Sequence, residues 1–152
     1  MERDAGADAA SRVVKDVLRD AVAAGRVRID PVYSEGDPGW FLEITPQNSR
    51  ACPVSLSDTP PQMWLFLGRE PITATFELWS DDRDANLSLL RELVEAVAAG
   101  RYEQTVETFK RTASVCLGRF KLQGREEKHD HSTTASAAVK PGESYVSKFE
   151  PY

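Results

Sequence analysis

The sequence is poor in the residues that carry most catalytic and metal chemistry. Its 152 residues include two histidines, His129 and His131, and two cysteines, Cys52 and Cys116. The cysteines lie far apart and form no C-x-x-C pair, whereas a disulfide scaffold uses a denser, even set in a shorter chain. We therefore expect two buried thiols in a reducing compartment, and no cofactor.

Long apolar runs and glycine-rich phosphate motifs are also absent. No segment approaches the roughly 20 apolar residues that cross a bilayer. None matches G-x-S-x-G, G-x-x-x-x-G-K-S/T or G-x-G-x-x-G. The first residues, Met1-Glu2-Arg3-Asp4, lack the apolar stretch of a secretory signal. These absences predict a cytoplasmic protein with no membrane partner.

The charge balance is acidic. Nineteen Lys and Arg residues stand against 24 Asp and Glu residues, which gives a net charge of -5. Five cations with interleaved phenylalanines resemble a stripe that follows a phosphate backbone. These cations are Lys110, Arg111, Arg119, Lys121 and Arg125. Because the whole chain repels phosphates, we do not expect a nucleic-acid partner.

Two segments have the three-to-four spacing of apolar residues that is typical of amphipathic helices. Asp8 is placed to cap the first helix and Gly25 to end it, while Asp82 and Gly100 bound the second. The apolar positions are Val13, Val14, Val17, Leu18, Ala21 and Val22 in the first helix, and Leu87, Leu90, Leu93, Val94 and Val97 in the second.

Both helices end in the same hexapeptide, Ala-Val-Ala-Ala-Gly-Arg, at residues 21–26 and 96–101. Either duplication of a helix–hairpin unit or two independent helix ends would produce this repeat. The flanking sequences do not align convincingly, so we favour independent helix ends.

Period-two alternation between and after the helices predicts about seven strands. The expected strands cover 27–33, 40–45, 52–56, 63–67, 72–80, 102–110 and 112–122. Short connections favour antiparallel pairing. We predict a two-layer α+β fold in residues 1–124, an antiparallel meander sheet of five to seven strands with both helices packed on one face. Residues 125–152 are polar and aperiodic and are expected to form a mobile or loosely docked tail.

The strands at 63–67 and 72–80 form the clearest hairpin. A four-residue turn would pair Leu67 with Ile72, and Met63 with Phe76. One side of this hairpin is then uniformly apolar and would lie under the helices. The opposite side and the outward positions of strand 40–45 carry aromatic and acidic residues together, which is typical of a partner site. The candidate partner-binding residues are Trp64, Phe66, Trp79, Phe41, Glu43 and Glu77.

This pattern predicts a protein-binding module whose unknown partner presents positive charge. A symmetric homodimer, or cover by the tail aromatics Tyr145, Phe149 and Tyr152, would also bury the aromatic side. In architecture only, a small acidic α+β domain with an exposed sheet face resembles bacterial immunity proteins and secretion-type chaperones.

The alternative hypothesis is a small hydrolase or a metal-dependent enzyme. Glu43 and Glu77, or the His129/His131 pair, would then carry the chemistry. We expect no metal, because the histidines lie in the predicted tail. Residues 82–86 imitate the start of a calcium loop, but Leu87 and Leu93 replace the glycine and the bidentate glutamate that the loop requires. We therefore predict no catalytic residue.

Overall fold

Two antiparallel sheets and three helices are present in the computed structural model, which describes residues 5–32, 40–59, 62–69, 72–78, 82–109, 113–122, 125–133 and 144–152. The helices are α1 (Ala5–Val17), α2 (Arg19–Ala23) and α3 (Arg83–Ala98). The first sheet has the order β1 (Val27–Val32), β2 (Trp40–Pro46), β3 (Val54–Thr59), β4 (Gln62–Arg69) and β5 (Ile72–Leu78). The second has the order β8 (Arg125–Thr133), β7 (Ala113–Leu122), β6 (Tyr102–Phe109) and β9 (Ser144–Lys148). The α+β class with antiparallel pairing is confirmed, but the strands form two sheets.

The helix ends follow the sequence signals with one exception. The carboxylate of Asp82 accepts hydrogen bonds from the backbone N–H groups of Asp84 (3.0 Å) and Ala85 (3.3 Å), and so caps α3. The prediction that Asp8 caps the first helix is wrong, because α1 already begins at Ala5.

The repeated hexapeptides adopt the same helix-ending geometry. Gly25 and Gly100 both have φ of 73°. The N–H of Arg26 donates to the carbonyl of Ala21 at 2.9 Å, and the equivalent bond from Arg101 to Ala96 is 2.7 Å. The Arg26 carbonyl accepts from the N–H of Gln47, which directly follows β2. In the same way, the Arg101 carbonyl accepts from the N–H of Lys121 in β7. The likeness therefore extends from the helix cap to the first backbone hydrogen bond of each hairpin.

The inward side of the first sheet and the helices form one apolar cluster. Alternate residues of β2 to β5 are buried, namely Leu42, Ile44, Val54, Leu56, Met63, Leu65, Leu67, Ala74, Phe76 and Leu78. The helices contribute Val14, Leu90, Leu93, Val94 and Val97 to the same cluster, and Leu18, between α1 and α2, belongs to it as well. The predicted apolar side of the central hairpin is therefore the core side.

The register of this hairpin differs from the prediction by two residues. Leu67 pairs with Ala74 and Met63 with Leu78, because the ladder continues as far as Arg69 and Ile72. A one-residue shift would exchange the two faces of a strand, but a two-residue shift retains them. The assignment of residues to the core side and the opposite side is therefore unaffected.

Aromatic and amide contacts join the second sheet to the first. Phe120 of β7 is fully buried, and its ring meets that of Phe76 edge-on at a centroid distance of 5.7 Å. Gln104 of β6 is also buried, and its Nε2 donates to the Leu67 carbonyl and to the Tyr102 hydroxyl, both at 3.0 Å. Phe120 thus connects the two sheets by aromatic packing. Gln104 connects them by a hydrogen bond that also satisfies its buried amide group.

The described parts of residues 125–152 contain two strands and a C-terminal end that contacts the rest of the protein. Strand β8 pairs along β7 and β9 along β6, so each forms an edge of the second sheet. The ring of Phe149 stacks on Tyr102 with centroids 5.7 Å apart, and the hydroxyl of Tyr152 donates to the Cys52 carbonyl at 2.6 Å. Edge strands often carry charged side chains that prevent further pairing, which explains why composition concealed β8.

An ion-pair bridge between α1 and α3 predicts a specific pH dependence. Asp16 receives hydrogen bonds from Arg19 and Arg91, each at 2.8 Å. The Arg91 hydrogen bond, followed by the positive charges of Arg19 and Arg91, lowers the pKa of Asp16 below 3.8. This bridge therefore stabilises the fold above the unfolded-state pKa, and its contribution is lost as the pH falls through the folded pKa.

We expect Asp16→Asn to have a lower Tm than the wild type at pH 6, and expect this gap to close below the folded pKa of Asp16. Thermal unfolding between pH 2 and 6 measures the gap. Asp20→Asn is the matched control, since Asp20 is exposed and makes no ion pair among the described residues. A gap of constant size throughout the pH range would show that Asp16 does not act through its charge.

Candidate functional site

The candidate site is the side of the first sheet that faces away from the helices, here called the outer face. Strand register places Glu43, Ser55, Phe66 and Thr75 in one row across β2 to β5. A second row, two residues further along, contains Ser57, Trp64 and Glu77. The two rows result from the alternation that buries the residues between them. Four of the six predicted site residues therefore share this face.

Exposure differs among these side chains. Phe66 is 37% exposed, and Glu43 and Glu77 are exposed. Trp64 is half-buried, so it is more covered than a freely projecting anchor. The side chain of Phe41 lies outside the described part, although its backbone pairs with Ser57.

Trp79 also lies outside the described residues. The placement of four predicted residues is thus known from the structure, while the side chains of Phe41 and Trp79 stay predictions.

Two serines on β3 lie between the larger outward residues of β2 and β4, and this line of small side chains, here called the trough, was not recognised from the sequence. Ser55 and Ser57 are half-buried and are the outward residues between β2 and β4. Adjacent strands lie about 4.8 Å apart, so Glu43 on β2 and Phe66 on β4 flank the trough at about 10 Å. The sequence does contain a signal for this position, because burial of Val54 and Leu56 directs the alternating residues Ser55 and Ser57 outward.

The outer face carries acidic residues on both sides of its central strand β3, on β1 and β2 and on β5. At its β1 edge, Arg28 is paired with Asp30, and Asp30 lies opposite Glu43 in the register. Glu77 lies directly opposite Trp64. Arg28 is the only cation that the described strands place on this face near the carboxylates, and it already has an acidic partner. Glu43 therefore gives the trough a negative potential, and Glu77 adds a second negative charge beyond Trp64 on β5.

The geometry does not favour the hydrolase alternative. Glu43 and Glu77 are on β2 and β5, three strand spacings or ~14 Å apart. Carboxyl groups that act together in glycoside hydrolysis are about 5–9.5 Å apart. Strand register therefore does not place the two glutamates side by side, and the hydrolase hypothesis stays a prediction.

The histidine pair has a different position from the one expected. The backbones of His129 and His131 lie in β8, opposite Gly118 and Cys116, while the two side chains lie outside the described part. Within the described residues, no group of three or more His, Cys, Asp or Glu side chains is arranged to hold a metal ion. A metal role for this pair stays a prediction.

Comparison of the chain with protein-family models, with curated proteins and with solved structures gives no match. Among the helices that the structure describes, none has both the length and the apolar character needed to span a membrane. The site must therefore be interpreted from its own geometry.

Proposed function

We propose that this protein is a cytoplasmic binding module whose outer face takes a protein partner presenting arginine or lysine side chains. One observation carries the proposal: exposed Phe66 and exposed Glu43 lie in one row with only Ser55 between them. An aromatic ring and a carboxylate thus flank a space with a small polar floor. This combination of groups suits a cationic side chain.

Each wall of the trough contributes a different interaction. A guanidinium or ammonium group within about 6 Å of an aromatic ring gains about 0.5–2 kcal/mol from the cation–π interaction. A carboxylate can add a charge-assisted hydrogen bond, and arginine can form two parallel ones. In the second row, Trp64 and Glu77 form another aromatic–acid pair, directly opposite each other on β4 and β5. The partner surface should therefore carry at least two cationic side chains.

The negative charge of the outer face also favours binding of a different protein over binding of a second copy of this chain. In a two-fold symmetric dimer, the same patch meets itself. Glu43 and Glu77 would then face another acidic patch, and like-charge juxtaposition is unfavourable. A basic partner has no such penalty, so we favour it over self-association through this face.

The test compares variants of the outer face with a matched charge variant elsewhere. We expect Phe66→Ala to weaken binding of the partner purified from native cells by about 2 kcal/mol or more, the scale of an aromatic hot spot. Glu43→Lys should also weaken binding, because it reverses the potential of the trough. Glu95→Lys, at an exposed position on α3, changes the net charge equally and should bind like the wild type.

Titration calorimetry at several salt concentrations, together with thermal unfolding of each variant, measures both effects. Binding by Glu43→Lys equal to that of Glu95→Lys would contradict the proposal. So would a Tm loss in Phe66→Ala as large as that of a core truncation, because Phe66 would then be a structural residue.

A further inference from the structure

A cleft of about 940 Å³ opens between the helical segment α1–α2 and the hairpin of β1 and β2. Small-molecule sites commonly have volumes of about 300–1,000 Å³ and mainly apolar walls. Its apolar walls are formed by Val22, Ala23, Val27, Ile29 and Pro46. Val22 is 43% exposed, which makes it one of the few large apolar side chains that the described surface leaves open to solvent.

The charged groups of the cleft are all positive among the described lining residues. They are Lys15, Arg19 and Arg28, in a chain whose net charge is -5. Arg19 is paired with Asp16, and Arg28 with Asp30. Lys15 is exposed and has no ion pair within the described part of the chain. Lys15 is therefore the cation available to an anionic group.

We propose that this cleft binds an anionic amphiphile, an alkyl chain that carries a single anionic head group. The chain would lie against Val22, Val27 and Ile29, and the head group would pair with Lys15. Burial of the alkyl chain against the apolar walls supplies most of the affinity, and the lysine supplies the preference for an anion.

The edge of β1 argues against an extended peptide in the same cleft. The Arg26 carbonyl accepts from Gln47, so these residues form a hydrogen-bonded pair of the antiparallel ladder. Alternation then directs the backbone groups of Val27, Ile29 and Pro31 towards the free edge. Pro31 has no N–H to donate, which blunts this edge against an added strand. A small ligand fits the cleft better than a peptide strand.

Titration of the full chain with dodecanoate below its micellar concentration tests the proposal. We expect saturable binding at one site by calorimetry, with amide shift changes at Val22, Val27 and Ile29 in NMR spectra. Dodecyltrimethylammonium, which has the same chain and the opposite charge, should bind at least about tenfold more weakly. Titration with dodecyl phosphate shows whether the site prefers a phosphate or a carboxylate head group. Tighter binding of either anion than of the cationic amphiphile supports the proposed class of ligand.

Two variants locate the site. Lys15→Glu and Val22→Asp should each weaken dodecanoate binding about tenfold, a change of 1.4 kcal/mol. Both residues are exposed, so neither substitution disturbs the core. Lys148→Glu, also exposed and outside the cleft, should bind like the wild type.

Three results would overturn the proposal: no saturable binding, equal affinity for the cationic amphiphile, or shift changes centred on Phe66 instead of Val27. The last result would assign the ligand to the outer face. Loss of partner binding in the outer-face variants does not affect this test, because the cleft and the trough share no residue named in either experiment.

Discussion

Phe120→Ala should lower the free energy of unfolding by about 3–5 kcal/mol, the range expected when a buried phenylalanine is truncated. Phe120 has no exposed surface, and its ring lies 4.5 Å from that of Tyr102 and 5.7 Å from that of Phe76. Its ring also lies beside Leu67 of the first sheet and Val94 of α3. Truncation therefore removes contacts between both sheets and a helix.

Urea denaturation monitored by circular dichroism measures this loss. The total stability of a domain is typically about 5–15 kcal/mol, so the variant could lose a large fraction of it. Phe120→Leu retains most of the apolar volume and should cost less than Phe120→Ala. Phe66→Ala provides the surface comparison, and a loss from Phe120→Ala within the roughly 0.5 kcal/mol of an ordinary surface substitution would mean that Phe120 does not join the layers.

The fold class could be predicted because alternation and helical spacing are local signals. Leu65 and Leu67 alternate with Trp64 and Phe66, and this pattern alone separates the core side from the outer face. The register error at Leu67 and Ala74 did not affect that separation, since it shifted the pairing by two residues. Local patterning thus predicts which side of the sheet a residue occupies better than it predicts which residue lies opposite it on the neighbouring strand.

The division into two sheets could not be predicted from the same signals. Alternation in β6 and β7 indicates strands, but it does not specify which sheet they join. Phe120 lies between Arg119 and Lys121, so the sequence suggested a basic stripe where the structure has a core residue. Gln104 is polar, and its burial depends on the Leu67 carbonyl of the first sheet, 37 residues away in sequence. Such contacts belong to tertiary packing.

The trough shows a similar limit at the candidate site. Trp64 and Phe66 were recognised because large aromatic residues are conspicuous on an outward face. Ser55 and Ser57 were overlooked, since small polar residues on a strand carry no chemical signal of their own. Their significance comes from register, which places them between an acidic strand and an aromatic strand.

Gly100→Ala should destabilise the protein more than Gly25→Ala, although both glycines occupy the fifth position of the same hexapeptide with φ of 73°. A residue with a Cβ loses about 1–2 kcal/mol in this left-handed conformation, and that cost applies at both positions. At Gly25, an added Cβ has no atom within 4 Å. At Gly100, it would lie 2.9 Å from the Pro151 nitrogen and 3.2 Å from the Phe149 carbonyl oxygen.

The additional cost at Gly100 is therefore displacement of the C-terminal segment, residues 149–152. Overpacking of this kind typically costs about 1–3 kcal/mol. The segment cannot move without weakening the Phe149–Tyr102 stack and the hydrogen bond from the Tyr152 hydroxyl to the Cys52 carbonyl. We expect denaturant unfolding to give a total loss of about 2–5 kcal/mol for Gly100→Ala.

A double-mutant cycle with a chain that ends at residue 148 isolates this contact. Without residues 149–152, Gly100→Ala has nothing to displace and should cost the same as Gly25→Ala. The two hexapeptides have the same sequence and the same hydrogen-bonded cap, so backbone strain cancels in the comparison. A difference between the two alanine variants that survives truncation would show that the C-terminal segment does not pack against the end of α3.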